Sequence, residues 1–172
     1  MDFKEKIAIV EGFPKEGISF KDITPLIGDG KVFRELIDIM AKKLKELNID
    51  YIAGPEARGF IFGVPLAYAL GIGFIPIRKK GKLPQETVSI TYDLEYGKDT
   101  LEIHKHSFEK GSRIALVDDL LATGGTISAC AKLIELAGGK VVTVDFIIEL
   151  TELHGRDKLK GYEIESLVQY DI

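Results

Sequence analysis

Residues 113–126 read RIALVDDLLATGGT, and this stretch decides the fold. The apolar, β-branched run 113–117 predicts a strand that is buried on both faces, as at the centre of a parallel sheet. Asp118 and Asp119 follow at its carboxyl end, where open α/β sheets bind ligands. The next loop opens a predicted helix and consists of small residues: Ala122, Thr123, Gly124, Gly125 and Thr126. Its amides and hydroxyls, together with the helix N-terminus, form a cradle suited to a phosphate group.

The two acidic residues beside this loop need a partner other than phosphate, because they would repel a bare anion. Carboxylates accept hydrogen bonds, and a pair of adjacent sugar hydroxyls can donate them. A phosphate in the loop with ribose hydroxyls on Asp118 and Asp119 therefore describes a ribose 5-phosphate ligand. The alternative interpretation is a strand end that carries a solvated acidic pair, followed by a glycine-rich helix start.

Composition places limits on the protein class. The 172 residues predict a single α/β domain spanning 1–172, and the formal charge of −4 disfavours a general nucleic-acid binder. The single cysteine, Cys130, rules out a disulfide within the chain; with no secretory signal apparent, we expect a cytoplasmic protein. The uncharged stretch 59–77 is interrupted by four glycines and two prolines, so it predicts a helix and a strand rather than a membrane span.

Alternating periodicities along the chain predict a parallel sheet with helices between its strands. The predicted strands are residues 51–54, 74–78, 114–117 and 141–149, and the predicted helices are residues 31–47, 59–70 and 126–137. A short first helix extends from Phe3 to Val10, and residues 13–25 are expected to be irregular. Residues 88–94 and 101–103 alternate around a turn at 95–99, which predicts a hairpin that forms a lid over the carboxyl ends of the strands.

Two further segments carry the charge and geometry suited to a polyanion. The loop 78–82, RKKGK, directly follows a predicted strand, and the loop 55–59, PEARG, joins a strand to a helix start. The alternative for the first loop is a solvated, lysine-rich edge. His104 and His106 lie on one side of a strand, but no cysteine or third histidine is near them in sequence, which argues against a zinc site.

Residues 117–126, VDDLLATGGT, resemble the phosphoribosyl-pyrophosphate motif of the type I phosphoribosyltransferases. The residues match the form of the motif in the members that act on adenine. Further segments resemble that family in its own order: 11–26, 51–63, 77–84, 92–105 and 166–172. The resemblance implies a central parallel sheet flanked by helices, with a hairpin lid and an N-terminal hood segment. It also implies transfer of a phosphoribosyl group from phosphoribosyl pyrophosphate to adenine, giving AMP and pyrophosphate.

The resemblance further implies roles for particular residues. Asp118, Asp119 and the loop 122–126 bind the phosphoribosyl group, and Arg58, Arg78 and Lys82 contact the pyrophosphate side. Glu95, on the lid, handles the proton that adenine loses. The adenine pocket lies within residues 13–21 and includes Ser19, Phe20 and Lys21. The peptide bond between Glu56 and Ala57 is expected to be cis, although Glu56 stands where the family often has aspartate.

The resemblance implies Mg²⁺ as a cofactor, held mainly through phosphoribosyl pyrophosphate rather than by a dedicated protein site, and it implies a homodimer. Two alternatives remain open from the residues alone. The phosphoribosyl site is shared by enzymes that act on hypoxanthine, guanine, xanthine or orotate. A non-catalytic regulator could use the same fold to sense the sugar phosphate, but it would need a DNA-binding segment, which the sequence does not show.

Overall fold

A computed structural model describes all 172 residues and contains one seven-stranded sheet and one two-stranded sheet. The large sheet has the strand order β5-β6-β4-β3-β7-β8-β9. Its strands are β3 Tyr51–Pro55, β4 Gly73–Lys79, β5 Thr87–Leu94, β6 Gly97–His104, β7 Arg113–Leu121, β8 Lys140–Leu150 and β9 Ile164–Tyr170. The β3, β4, β7, β8 and β9 strands pair in parallel, whereas β6 pairs antiparallel with both β4 and β5.

Strand β7 is an interior strand of the sheet, between β3 and β8. Alternate residues of a strand face opposite sides of a sheet. Accordingly, Ala115 and Val117 belong to an apolar cluster on one face, and Ile114 and Leu116 belong to a second cluster on the other face. The prediction of a strand buried on both faces is therefore confirmed.

Helices cover both faces of the sheet. The helices α1 Thr24–Gly28, α2 Gly30–Lys45 and α3 Arg58–Leu70 contribute to the first cluster, and α4 Gly125–Leu136 contributes to the second, which includes the fully buried Cys130. In α2 the buried residues recur at helical spacing and form one apolar stripe: Val32, Leu36, Ile37, Met40 and Leu44. The predicted helix extends to Leu47, but α2 ends at Lys45, and Leu47 lies beyond it and is exposed.

The sequence prediction ended the central strand at Val117, but β7 continues to Leu121. The reason is the length of β8, which supplies partners for the added residues: Asp118 pairs with Phe146, and Leu121 pairs with Glu149. Asp118 and Asp119 consequently lie within the last residues of β7 instead of in the loop after it. Parallel pairing fixes the backbone of both aspartates more firmly than a loop would.

The N-terminal region differs from the predicted helix and irregular segment. A 3-10 helix, Phe3–Lys6, is capped by the Asp2 side chain, and the chain then forms strand β1, Ala8–Glu11. Strand β1 pairs antiparallel with β2, Ser19–Asp22, in the two-stranded sheet. The helical reading fails after Ile7 because Ile9 and Val10 are exposed and pair with the strand that follows. Residues 1–25 are called the hood segment below.

The predicted hairpin is confirmed, but its position and turn differ from the expectation. Strand β6 pairs with β4 through Arg78–Glu102 and Lys79–Leu101, so the hairpin extends the edge of the sheet. Its base is buried at Leu101 and Ile103, whereas its tip is exposed. The turn contains only Glu95 and Tyr96, because residues 97–99 already belong to β6.

Candidate functional site

The two aspartates of β7 face different partners. Asp119 is 4% exposed, and its Oδ2 lies 3.0 Å from Nε of Arg58, which begins helix α3. Asp118 Oδ1 accepts a hydrogen bond from the backbone amide of Asp119 at 2.9 Å. Burial and the neighbouring Asp119 carboxylate raise the pKa of Asp118 well above its usual range. The raised pKa means that burial and Asp119 disfavour the charged form of Asp118, a form that hydroxyl donors or a cation on the ligand would stabilise.

The loop after β7 has the backbone geometry that suits an anion. Helix α4 begins at Gly125, and the preceding Gly124 has a φ of 84° and provides no side-chain cap. The amides of the first turn therefore lack the usual capping partner and remain available to an anion. The hydroxyl-bearing residues Thr123 and Thr126 are exposed at the same end of the helix. These features support the phosphate cradle predicted from the sequence.

The aspartates and the loop line one cleft of about 230 Å³, to which Arg58 also contributes. Pockets that enclose a whole small ligand usually have about 300 to 1,000 Å³. The cleft is smaller than that range, which suits a sugar phosphate without its base. The structure thus brings together eight of the predicted residues: Arg58, Asp118, Asp119, Ala122, Thr123, Gly124, Gly125 and Thr126.

A segment that the sequence did not indicate holds the loop from behind. A Cβ atom on Gly124 would lie 2.5 Å from the carbonyl oxygen of Gly155, and one on Gly155 would clash with the carbonyl of Ala122. Next to Gly155, Arg156 forms two hydrogen bonds with the buried Glu149 carboxylate, at 2.7 and 2.8 Å. These bonds lower the pKa of Glu149. No local pattern in residues 151–159 predicts the contact of Gly155 with the loop, because it joins segments about thirty residues apart.

The predicted pyrophosphate residues are divided between two places. Arg58 lines the cleft and follows the Glu56–Ala57 bond, which is cis as the resemblance implied. Arg78 instead lies beside Glu56, with 3.3 Å between Nε and Oε1, and the Lys79 amide donates to the same oxygen at 2.8 Å. Although burial opposes it, these contacts lower the pKa of Glu56. Lys82 is exposed, and neither Arg78 nor Lys82 lines the cleft.

The predicted adenine residues lie on β2 in the hood segment, next to the cleft. The Phe20 ring centroid is 5.9 Å from Cζ of Arg58, and the ring meets Phe13 edge-on at 5.2 Å. Lys21 is 5% exposed, and its ammonium group donates to Ser19 Oγ at 2.6 Å. The Lys21 side chain is therefore already engaged, which leaves backbone groups as the means by which this residue can bind a base.

Backbone groups on one edge of β2 are open. The backbone amide of Gly12 donates to the carbonyl oxygen of Ile18 at 2.8 Å. Hydrogen-bonded pairs of the two strands recur every second residue from this bond, which makes Val10–Phe20 the next such pair. Because alternate residues of an antiparallel pair point toward the partner strand, the amides and carbonyls of Ser19 and Lys21 point to the opposite edge. Strand β2 has no neighbour there. One long contact, 3.4 Å from the Lys21 ammonium to the Ser19 carbonyl, lies on this edge.

Glu95 lies at the tip of the hairpin, where it is exposed and does not line the cleft. Its neighbour Tyr96 is 91% exposed. The hairpin nevertheless contacts the phosphate loop, because the hydroxyl of Tyr92 lies 3.2 Å from that of Thr126. This hydrogen bond places strand β5 directly beside the cradle, with the Glu95 turn further along the same hairpin.

Comparison with known proteins agrees with this geometry. Residues 27–167 match the model of the phosphoribosyl transferase domain. The chain is 66% identical to the adenine phosphoribosyltransferase of Clostridium botulinum over the full length of both proteins. This chain belongs to the adenine phosphoribosyltransferase family.

Solved structures of adenine phosphoribosyltransferases share the fold. The enzyme from Thermoanaerobacter pseudethanolicus superimposes with a TM-score of 0.94 at 56% identity, covering 98% of each chain. The Saccharomyces cerevisiae enzyme, complexed with an imino-altritol bisphosphate and adenine, gives 0.92 at 42% identity, covering 96% of each chain. The type I phosphoribosyltransferase fold expected from the sequence is therefore confirmed.

Proposed function

We propose that this chain transfers the 5-phosphoribosyl group of phosphoribosyl pyrophosphate to adenine, giving AMP and pyrophosphate, a reaction of purine salvage. The observation that carries the proposal is the cleft in which an anion cradle and two carboxylates meet beside an open strand edge. The adenine that the yeast relative contains supports the same substrate.

In this proposal the amides of residues 123–126 and the hydroxyls of Thr123 and Thr126 bind the 5-phosphate. Asp118 and Asp119 accept hydrogen bonds from the ribose hydroxyls. Arg58 keeps Asp119 in place through the 3.0 Å ion pair and can also face the pyrophosphate. Because the cradle is already formed, binding fixes the reacting carbon of ribose with little reorganisation, which lowers the entropic part of the barrier.

The reaction breaks the bond between the anomeric carbon and pyrophosphate and forms a bond from that carbon to N9 of adenine. Positive charge develops on the ribose ring as pyrophosphate departs, as in glycoside chemistry. Arg58, Arg78 and Lys82 stabilise the negative charge of the leaving group. For Arg78 this requires release of the Glu56 carboxylate or a contact shared with it, because the two groups are 3.3 Å apart.

Magnesium is proposed to bind together with phosphoribosyl pyrophosphate. No group of three or more acidic, histidine or cysteine side chains converges in a way that could hold the ion alone. The oxygen donors of Asp118 and Asp119 suit this hard cation and could supplement the phosphate oxygens of the substrate. When bound, Mg²⁺ would neutralise part of the negative charge on the leaving group.

Adenine is proposed to bind between the hood segment and the cleft, with Phe20 providing a stacking face. Its N1 atom accepts a hydrogen bond and its amino group donates one, a pattern that the open backbone edge at Ser19 and Lys21 can complement. Hypoxanthine presents the opposite pattern at the same two positions, so it would leave buried polar groups unpaired. Such a mismatch can discriminate by about four orders of magnitude.

Glu95 is proposed to accept the proton that leaves adenine. The carboxylate lies outside the cleft in this structure, so the hairpin tip must close over the bound base for the transfer. Lid closure of this kind also excludes water from the reacting carbon. The exposed position of the tip supports this movement, because no core packing has to break.

A homodimer is proposed through the groove between α2 and α3. This groove has a volume of about 730 Å³ and includes Tyr68, which is 89% exposed, and the exposed Val64. Arg34 and Asp38 flank the apolar surface, so a two-fold contact can pair Arg34 of one copy with Asp38 of the other. Light scattering should give twice the 19.0 kDa chain mass, and Tyr68→Asp should give a monomer. A monomeric parent protein at micromolar concentration would contradict the dimer.

None of the helices combines the length and the apolar character that a membrane crossing requires. A cytoplasmic location, proposed from the single cysteine and the family, stays a prediction that fractionation of the source cells tests.

The function is tested by incubating the purified protein with Mg²⁺, phosphoribosyl pyrophosphate and one base at a time. Adenine should give AMP and pyrophosphate, whereas hypoxanthine, guanine, xanthine and orotate should react at most about a thousandth as well, given the reversed hydrogen-bond pattern. Faster conversion of another base would assign the chain to a different substrate. Absence of nucleotide with every base would contradict an enzymatic role and leave sugar-phosphate sensing as the alternative.

A further inference from the structure

The phosphate loop carries no positively charged side chain: residues 122–126 are Ala, Thr, Gly, Gly and Thr. Nearby cations of the proposed site already face carboxylates, since Arg58 pairs with Asp119 and Arg78 with Glu56. A phosphate group with two negative charges is bound more tightly where a cation complements the loop amides. The structure contains such a cation on the segment behind the loop.

Lys158 lies on the 3-10 helix Gly155–Leu159, and its Nζ is 3.7 Å from the position that a Cβ on Gly125 would occupy. Gly125 is the first residue of helix α4, so the ammonium group lies beside the N-terminal end where the phosphate amides are. The Lys158 ammonium group takes part in no ion pair, and the ammonium groups that donate side-chain hydrogen bonds are those of other lysines. The side chain is exposed and does not line the cleft, so its ammonium group has to swing toward a ligand bound there.

The backbone that carries Lys158 is held in place relative to the loop. Gly155 contacts Ala122 and Gly124 so closely that neither glycine has room for a Cβ. Arg156 is fixed by its two bonds to Glu149, which also accepts a hydrogen bond from Ser166 at 2.6 Å. Leu159, the neighbour of Lys158, is completely buried. Only the flexible end of the lysine side chain has to move toward a ligand.

We infer that Lys158 binds the 5-phosphate of the substrate and of AMP, with its ammonium group approaching from beside the first turn of helix α4. The inference rests on the proposed phosphate site and adds to it a residue that is distant in sequence. A direct ammonium–phosphate contact predicts that loss of the charge weakens phosphate-dependent binding about 10-fold to 100-fold. Turnover at saturating substrate should change little, because the 5-phosphate takes no part in bond breaking.

The test compares Lys158→Met with Lys160→Met. The second substitution is the matched control, because it removes the same charge from an exposed lysine two residues away. For Lys158→Met, titration calorimetry should show a 10-fold to 100-fold weaker affinity for AMP, and the KM for phosphoribosyl pyrophosphate should rise by a similar factor. The KM for adenine at saturating phosphoribosyl pyrophosphate and kcat should stay within about twofold. Lys158→Arg should restore most of the affinity, and Lys160→Met should match the parent.

Two results would overturn the inference. One is an AMP affinity of Lys158→Met equal to that of the parent, and the other is an equal loss in Lys160→Met, which would indicate general charge only. The thermal midpoint of each variant, measured in parallel, identifies any loss caused by unfolding, in which case Lys158→Gln replaces the Met variant. AMP formation by the parent protein tests the proposed function separately, so failure of the two claims can be distinguished.

Discussion

The phosphate loop and the hairpin tip are two parts of one proposed site, and they are built in opposite ways. The loop follows a strand that is buried on both faces of the sheet and is packed against Gly155 so tightly that Gly124 cannot carry a side chain. The tip, with Glu95 and Tyr96, is exposed and lies away from the cleft. The difference supports the proposed division of roles, in which a preformed region binds the sugar phosphate and a loosely held region brings the proton acceptor after binding.

The largest expected effect lies on the preformed side. Replacing Asp118 and Asp119 together by Asn keeps their shape and removes two charge-assisted interactions with ribose, each worth about 1.5 to 3 kcal/mol. Catalytic efficiency should therefore fall by a factor of about 10² to 10⁴, with the fold retained because both residues face the cleft. Steady-state kinetics and circular dichroism of the double variant check this. Parental kinetics in that variant would rule out the ribose contacts.

On the hairpin side, Glu95→Gln should lower turnover by a factor of about 10² to 10⁴, which is the usual contribution of a general base. Its stability should not change, because the residue is exposed and makes no hydrogen bond. Asp93→Asn, an exposed carboxylate on the same hairpin, is the matched control and should keep the parental turnover. A Glu95→Gln variant as fast as its control, with chemistry shown to limit the rate, would remove Glu95 from the mechanism.

Substitutions of two neighbouring glycines in the loop distinguish an effect on packing from an effect on ligand binding. Gly124→Ala should lower the free energy of unfolding by about 2 to 4 kcal/mol, because its φ is 84° and the new Cβ would lie 2.5 Å from a backbone oxygen. Gly125→Ala meets only Lys158, at 3.7 Å, so stability should change by less than about 0.5 kcal/mol. Its Cβ narrows the cradle, and AMP affinity should fall about tenfold. Urea unfolding and calorimetry of both variants check the contrast; equal stabilities would contradict the packing of Gly124.

Asp145 should have a smaller effect, which changes the stability of the packed core and not the activity. It is buried on β8, next to Val117, and accepts a hydrogen bond from Thr143 at 2.6 Å. Burial raises its pKa to about 6. An unfolded aspartate titrates near pH 4, so between about pH 4 and 6 the folded chain binds more protons at this residue than the unfolded chain does. Its contribution to stability therefore decreases as pH rises through that window.

Asp145→Asn removes this titration and keeps an acceptor for Thr143. Relative to the parent, the variant should gain almost nothing near pH 4 and up to about 3 kcal/mol at pH 8, which corresponds to a shift of about two pKa units. Activity should not change, since Asp145 does not line the cleft. Urea unfolding at pH 4, 6 and 8 measures the difference. A gain that does not depend on pH would show that Asp145 is not the titrating group.

The sequence predicted the parts of the molecule where local pattern and environment agree. The apolar run before Asp118 and the small residues after it specify a buried strand and an uncapped helix start, and the apolar stripe in α2 specifies its buried face. The resemblance added the cis peptide bond between Glu56 and Ala57 and the interpretation of the hairpin as a lid. These elements are determined by residues close together in the chain.

The remaining features depend on distant partners. Strands β1 and β2 are four residues each, too short for a periodic signal, and form through their mutual pairing. Strand β7 extends over its two aspartates because β8 offers partners. Gly155 and Lys158 reach the loop only through the fold, about thirty residues along the chain, and Arg78 is held by Glu56, 22 residues away. Sequence patterns do not show such contacts.

The most direct test of the account is the crystal structure of this chain with AMP. The account predicts phosphate oxygens within about 3.2 Å of the amides of residues 123–126, ribose hydroxyls on Asp118 and Asp119, and the base at the open edge of Ser19 and Lys21. A phosphate bound elsewhere, or a ribose that does not contact either aspartate, would contradict the assignment of this cleft as the phosphoribosyl site.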